Sequence, residues 1–289
     1  MAREPVRVSR RTMLGAAAGA VGMMLGAEGS ATSQTPALKG RIKQSVCRWC
    51  YGRMSLDDLA ANAKAMGLTA IDLLSENEWP VVAKHGLICS MANGPGGIAD
   101  GWNTIANHDR LVREAERLLP LVKQAGCPNM IIFSGNRRGI SDAEGLANCE
   151  KGIRRIIKLA EDLGVTLCME LLNSKRDHHD YQCDHSAWGV ELCKRIGSNR
   201  MKLLYDIYHM QIMEGDLCDT IQQNIQYIAH FHTGGVPGRN EIDQTQEINY
   251  PRVMQTIAAV GFQGFVAHEF IPRRDPMTSL KEAITLCDV

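Results

Sequence analysis

The run LLYDIYHMQIMEGDL, Leu203 to Leu217, starts as an apolar strand and stops on an acid, Asp206, with His209 three residues later. Alternation along a strand puts Leu204 and Asp206 on one face and Leu203, Tyr205 and Ile207 on the other. An acid closing a buried stretch is costly unless something pairs with it, so either the strand ends in a solvated turn or the chain brings Asp206 a partner. The other strands decide between these.

Three more strands end in the same manner. In TLCMELL (166–172), Thr166, Cys168 and Glu170 share a face opposite the more apolar Leu167, Met169 and Leu171. In IAHFHT (228–233), His230 and His232 alternate with Phe231, and in GFVAHEF (264–270) Ala267 and Glu269 share a face. Upstream, IKQSVC, TAIDLL, LICSMAN and NMIIFSG complete a set of eight strand candidates. Helical patterns lie between them. In KGIRRIIKLAEDLG, Ile153, Ile156, Ile157, Ala160 and Leu163 fall on one face, and Leu111, Ala115, Leu118, Leu119 and Val122 do so in the preceding helix, where Pro120 predicts a kink. Gly67, Gly126, Gly164 and Gly261 each follow a helical run, as C-terminal caps do.

Eight strand and helix units in about 250 residues predict an α/β fold, a single closed (β/α)8 TIM barrel. An open doubly wound sheet would want a Gly-rich dinucleotide fingerprint after its first strand, and CRWCYGRMS has none. Barrel strands send alternate residues inward, and functional groups come from their C-terminal ends. Glu170, Asp206, His232 and Glu269 are therefore aimed at one mouth. Three carboxylates without a cation would repel one another. Three hard oxygens with one imidazole suit one divalent metal ion, Mn2+, Mg2+, Co2+ or Zn2+.

Lys and Arg total 32 against 32 Asp and Glu, which lacks the basic excess of a nucleic-acid or anionic-membrane partner and points to a small molecule. The first residues differ from the rest. SRRTMLGAAAGAVGMMLGAEGSA (9–31) pairs Arg10 and Arg11 before a short apolar Ala/Gly/Met stretch and small residues, the layout of a twin-arginine export signal. Residues 1–38 are thus expected to be an export signal peptide and short linker, 39–289 the barrel, and the mature protein periplasmic, with no membrane span after processing. Several of the ten cysteines, Cys89 and Cys168 among them, sit in apolar runs and behave as buried thiols. Cys47 and Cys50 form a lone CxxC without a second pair, which is weak support for zinc or redox chemistry.

YDIYHMQIMEGDL, together with EINY, MELLN and AHEFIP, resembles the hydroxypyruvate isomerase group of the xylose isomerase-like TIM barrels, relatives of the ketose 3-epimerases. The likeness runs from about Arg41 to the C-terminus. It implies that Glu170 and Glu269 are both metal ligands and the acid/base pair, with Asp206 and His232 completing the coordination. A histidine at position 232, where close relatives can carry glutamine, matches the epimerase-like version. His209 and Arg239, the latter in VPGRNEID, match positions that contact substrate oxygens, and Leu171 stands where many relatives have proline.

The implied chemistry is proton transfer between adjacent carbons of a hydroxy-carbonyl substrate through an enediolate, interconverting hydroxypyruvate and tartronate semialdehyde or a similar ketose and aldose pair. Epimerisation at C3 of a ketose needs the same groups. An apurinic endonuclease on a related barrel would want more histidine ligands and a basic face, and an exported sugar-binding protein would not need both glutamates. The sequence leaves room for a homo-oligomer. Two loops complete the reading: RDHHDYQCDH (176–185) is expected as a solvated loop over the mouth, and NGPGGIADGW (93–102) as a flexible rim or lid. Trp49, just past the first strand, is a candidate wall of the pocket.

Overall fold

A computed structural model describes residues 38–289, so the expected export signal lies outside the described residues. Eight strands form, at β1 Lys43–Cys47, β2 Ala70–Asp72, β3 Ile88–Cys89, β4 Asn129–Ile132, β5 Thr166–Glu170, β6 Met201–Asp206, β7 Ile228–Thr233 and β8 Phe265–His268. All pair in parallel in the order β3-β2-β1-β8-β7-β6-β5-β4. The ring closes just past β3, where Ala92 bridges Met130; Ala92 N donates to Asn129 O at 2.9 Å and Ile131 N donates to Ala92 O at 3.0 Å. The expected (β/α)8 barrel is the fold, with helices between the strands.

The alternation read from sequence is the partition observed. Met91, Ile131, Cys168 and Leu204 form a small cluster inside the barrel, whereas Leu167, Met169, Leu203, Tyr205, Phe231 and Val266 belong to the large core between strands and helices. Parallel strands buried on both faces need few polar residues unless these pair. The side of the interior built from β1, β2 and β7 meets that condition: Ser90 Oγ donates to Asp72 and lies 3.1 Å from Ser45 Oγ, and Asp72 Oδ2 lies 2.9 Å from His232 Nε2. One half of the interior is thus apolar and the other a chain of polar contacts that leads up to the mouth.

The four capping glycines have φ of 71° to 89°, which a Cβ would strain. The helix His108–Gln124 continues through Pro120. One expectation is corrected: KGIRRIIKLAEDLG is not one helix. A helix spans Asp142–Ile153, the chain turns, and a second spans Ile157–Leu163. Gly152 explains the first: a Cβ there would come within 2.7 Å of Trp102 and 2.8 Å of His108, so that helix packs too closely on both to carry a larger residue. The turn that follows keeps Ile153 and Ile156 both buried although one leaves the helix. Among the described residues no helix is long and apolar enough to cross a membrane.

Candidate active site

β5, β6 and β7 end on Glu170, Asp206 and His232-Thr233, and Glu269 directly follows β8. Asp206 and His232 are register partners across β6 and β7. These strand ends bring ligand atoms of Glu170, Asp206, His232 and Glu269 within 4.8 Å of one another, all buried. The sequence placed these four at one mouth, and they meet there.

His232 is the centre of the group. Its Nδ1 lies 2.5 Å from Glu269 Oε2, 3.2 Å from Glu170 Oε1 and 3.9 Å from Asp206 Oδ2, yet has no aligned hydrogen-bond partner. A buried ring nitrogen facing three carboxylates without hydrogen bonding to any of them is how a ligand set looks when its atoms point at a common position rather than at each other. The donor set, three oxygens and one imidazole nitrogen, fits a divalent cation of the Mn2+, Mg2+, Co2+ or Zn2+ kind.

Arg239 enters the same cluster. Its Nη2 donates to Asp206 Oδ2 at 2.6 Å and also to Glu269 Oε2, and its guanidinium lies 4.9 Å from the ring centre of Tyr208 and 5.8 Å from that of Trp49. One guanidinium does not neutralise three acids, and their protonation reflects this. Burial pushes Glu170 up to about 7 against the pull of His232, and burial likewise raises Asp206 despite Arg239. Burial also disfavours ionised Glu269, but Arg239 and His232 outweigh it and hold this carboxyl well below the usual range. Burial opposes charge on His232, and Glu269 overrides it, raising that ring.

Burial, reinforced by Arg239, keeps His209 neutral. Asn173 Nδ2 donates to its Nδ1 at 2.6 Å, and the amide's orientation is fixed because Asn173 Oδ1 accepts the backbone N–H groups of Arg176 and Asp177 at 3.0 Å each. A neutral imidazole accepts at one nitrogen only, and both nitrogens of His209 face donors, Asn173 Nδ2 and, at 2.7 Å, Arg239 Nη1.

The mouth above is a cavity of about 530 Å³. Its floor is Glu170, His209, Arg239 and Glu269, and its walls include Trp49 and Phe133. Trp49 is more than a wall, since its Nε1 donates to Glu269 Oε1 at 2.6 Å. The two loop expectations need correction. In 176–185, Tyr181, Gln182, Cys183 and Asp184 are buried, and only part of the loop is solvated, because Tyr181 donates to Glu170 O at 3.0 Å and Arg137 Nη2 to Asp184 Oδ1 at 3.0 Å. His178 of this loop lines the cavity. In 93–102, Trp102 is fully buried, and a Cβ on Gly94 or Gly101 would strike the backbone oxygens of Ile131 or Phe133 at 1.8 and 2.2 Å, so the rim is packed onto the strands and is no loose lid. All ten cysteines are free thiols, and Cys47 and Cys50 are unpaired.

Asp72, at the end of β2, was not reached by applying the strand-end rule to the last four strands alone. It is fully buried, and its Oδ2 lies 2.9 Å from His232 Nε2. The signal was present in TAIDLL, an acid closing an apolar strand as Asp206 does.

Comparison with known proteins agrees with this architecture. Over 252 residues the chain is 25% identical to the Homo sapiens "putative hydroxypyruvate isomerase", spanning 80% of this chain and 90% of that one. It is 26% identical over 234 residues to the "2-oxo-tetronate isomerase" of Pectobacterium atrosepticum, spanning 75% and 87%. A crystal structure described as an AP endonuclease, family 2, from Brucella melitensis superposes with a TM-score of 0.75 over 83% of this chain and 97% of that one; at 22% identity it shows a common fold alone. Residues 60–288 match the family described as xylose isomerase-like TIM barrel, and with the closed parallel barrel already in view the chain belongs to that family.

Proposed function

We propose that this aldose–ketose-type isomerase interconverts hydroxypyruvate and tartronate semialdehyde, or a closely similar ketose and aldose pair, using Glu170 and Glu269 to move the proton. The observation that carries the reading is His232 Nδ1, buried and without a hydrogen-bond partner at the focus of Glu170, Asp206 and Glu269. Those four residues would hold one divalent cation, which supplies Lewis-acid stabilisation of the negative charge that develops when a C–H proton leaves beside a carbonyl. Glu269, ionised and steadied by Trp49, is the base that accepts that proton. Glu170, which faces the same His232 Nδ1 as Glu269, returns a proton to the neighbouring carbon. His209 contacts a substrate oxygen, and Arg239 grips a carboxylate or oxyanion.

The test uses the mature protein stripped of metal and then resupplied with each of the four cations. Activity should return with metal and stay absent in Glu269→Gln; equal rates in stripped, resupplied and mutant protein would sink the proposal. Run in heavy water, the same assay places the label. Deuterium on the neighbouring carbon means isomerisation, deuterium back on C3 of a ketose means epimerisation, and substrate retained with no exchange means a binding protein. We propose further that the enzyme is exported from the cytoplasm, on the strength of Arg10 and Arg11 followed by the apolar stretch and small residues of 9–31. Replacing both with lysine should leave the protein in the cytoplasmic fraction, and unchanged fractionation would refute export by this route.

A further inference from the structure

Beneath the four proposed ligands lies a second layer of buried polar groups that the proton-transfer scheme does not use. Asp72 Oδ2 lies 2.9 Å from His232 Nε2 and 3.5 Å from the Cys47 thiol that donates to it. Its Oδ1 accepts from Ser90 Oγ and lies 3.1 Å from His230 Nε2. Asp72, His230 and His232 are each fully buried. The Cys47 thiol and the Ser90 hydroxyl both turn their hydrogen toward Asp72, and an ionised carboxylate only accepts. The proton between Asp72 and His232 therefore belongs to Nε2, so the nitrogen at which a cation can take the place of a proton is Nδ1, which faces Glu170, Asp206 and Glu269.

We propose that Asp72 is a positioning residue that acts through His232: it fixes the ring's tautomer and tilt so that Nδ1 is the nitrogen offered to the cation. A histidine ligand whose other ring nitrogen donates to a carboxylate is held in orientation and made more basic, and loss of such a partner costs roughly 10- to 100-fold in metal affinity. His230 completes the layer. Its ring packs edge-on to His232 with centroids 5.2 Å apart, and neither of its nitrogens has an aligned hydrogen-bond partner although Nε2 lies 3.1 Å from Asp72 Oδ1, so its contribution is packing against the His232 ring.

A different use of the same atoms is a second cation held by Asp72, His230 and His232, whose ligand atoms also lie within 4.8 Å of one another. One observation favours positioning. Asp72 and His232 already satisfy each other in a hydrogen bond, and Asp72 also accepts from Ser90.

The inference rests on the cation site of the proposed function, and its test separates the two. Wild-type protein and Asp72→Asn are titrated with Co2+ and followed by the visible ligand-field spectrum. The expected result is one equivalent bound by wild type, and a roughly 10- to 100-fold weaker site with an altered spectrum in Asp72→Asn. In parallel, wild type labelled with 15N-histidine is examined by long-range 1H–15N NMR before and after Zn2+. His232 should carry its proton on Nε2, with Nδ1 the resonance that zinc moves; this needs no variant and decides the matter if Asp72→Asn does not fold. Equal Co2+ affinity and spectrum in the variant, a zinc shift at Nε2, or two bound equivalents of which one disappears with Asp72 would each overturn the positioning role. No metal binding by wild type would instead overturn the cation site itself.

Discussion

Replacing Trp49 with phenylalanine separates the shape of the pocket from the electrostatics of its base. Phenylalanine keeps an aromatic wall beside Arg239 but cannot donate to Glu269 Oε1, which the indole does at 2.6 Å. A hydrogen bond to a charged group contributes ~1.5–3 kcal/mol. Trp49 is 47% exposed, so water takes over part of that bond and the loss falls at the lower end. About 1.4 kcal/mol is tenfold in rate, so kcat/KM should fall by roughly ten. The decrease should sit in kcat, because the residues that grip the substrate are untouched. The direction of the pH effect follows from the same bond: a donor favours the ionised carboxylate, its loss raises the Glu269 pKa, and the acid limb of the kcat/KM profile moves to higher pH. Steady-state kinetics on the metal-loaded enzyme over a pH series measures both. A rate within twofold of wild type with an unmoved acid limb would refute the placing of Trp49 as the group that steadies the base.

The seam of the barrel and the mouth loop give two further expectations. Gly94→Ala would put a Cβ 1.8 Å from Ile131 O, beside the two hydrogen bonds through which Ala92 closes the ring; losing them at ~1 kcal/mol each should lower stability by about 2 kcal/mol, read as a lower urea midpoint with an unchanged slope. Burial works against the Asp184 carboxylate, but Ser174, Arg137 and His185 outweigh it and lower its pKa below the ordinary 3.8. A depressed acid adds stability that is full above its unfolded pKa and is lost as pH falls through the folded one, so loop 173–185 should become open to pepsin as pH falls below about 4, and Asp184→Asn should remove the dependence.

Much of the fold was legible because parallel barrels write their geometry as alternation. Glu170, Asp206, His232 and Glu269 could be placed from period two and strand ends alone, since a strand's side chains have only two directions. The misplacements share a different cause. KGIRRIIKLAEDLG has an unbroken helical face, and the close approach of Gly152 to Trp102 and His108, residues more than forty positions away, is not written in it. The burial of Tyr181 and Cys183, in a loop rich in histidine and aspartate, depends on partners in other loops and strands, Ser134 among them. Asp72 had the right local signal, but its meaning comes from His232, 160 residues on. Composition and period report which way a side chain points, and they are silent on what arrives from elsewhere to meet it.

Asp206 shows how a helix start and a ligand can be one residue. Its Oδ1 accepts the His209 N–H at 3.2 Å, capping the helix Ile207–Met213, while Oδ2 faces Arg239 and His232. Cap and ligand are therefore complementary uses of two oxygens, and the cap also places His209, three residues on, at the cavity. Asparagine is as good a cap as aspartate, but its amide would offer the cation either a neutral oxygen or a donor. Asp206→Asn should thus keep the stability of the cap and lose the metal, whereas Asp206→Ala should lose both, at a further ~1 kcal/mol of stability. Arg239 loses the same partner in each variant, so the difference between them isolates the cap. Denaturation of the metal-stripped variants beside a Co2+ titration measures the pair of effects. Equal stability of the two would remove the cap from the account, and full metal affinity in Asp206→Asn would remove the ligand.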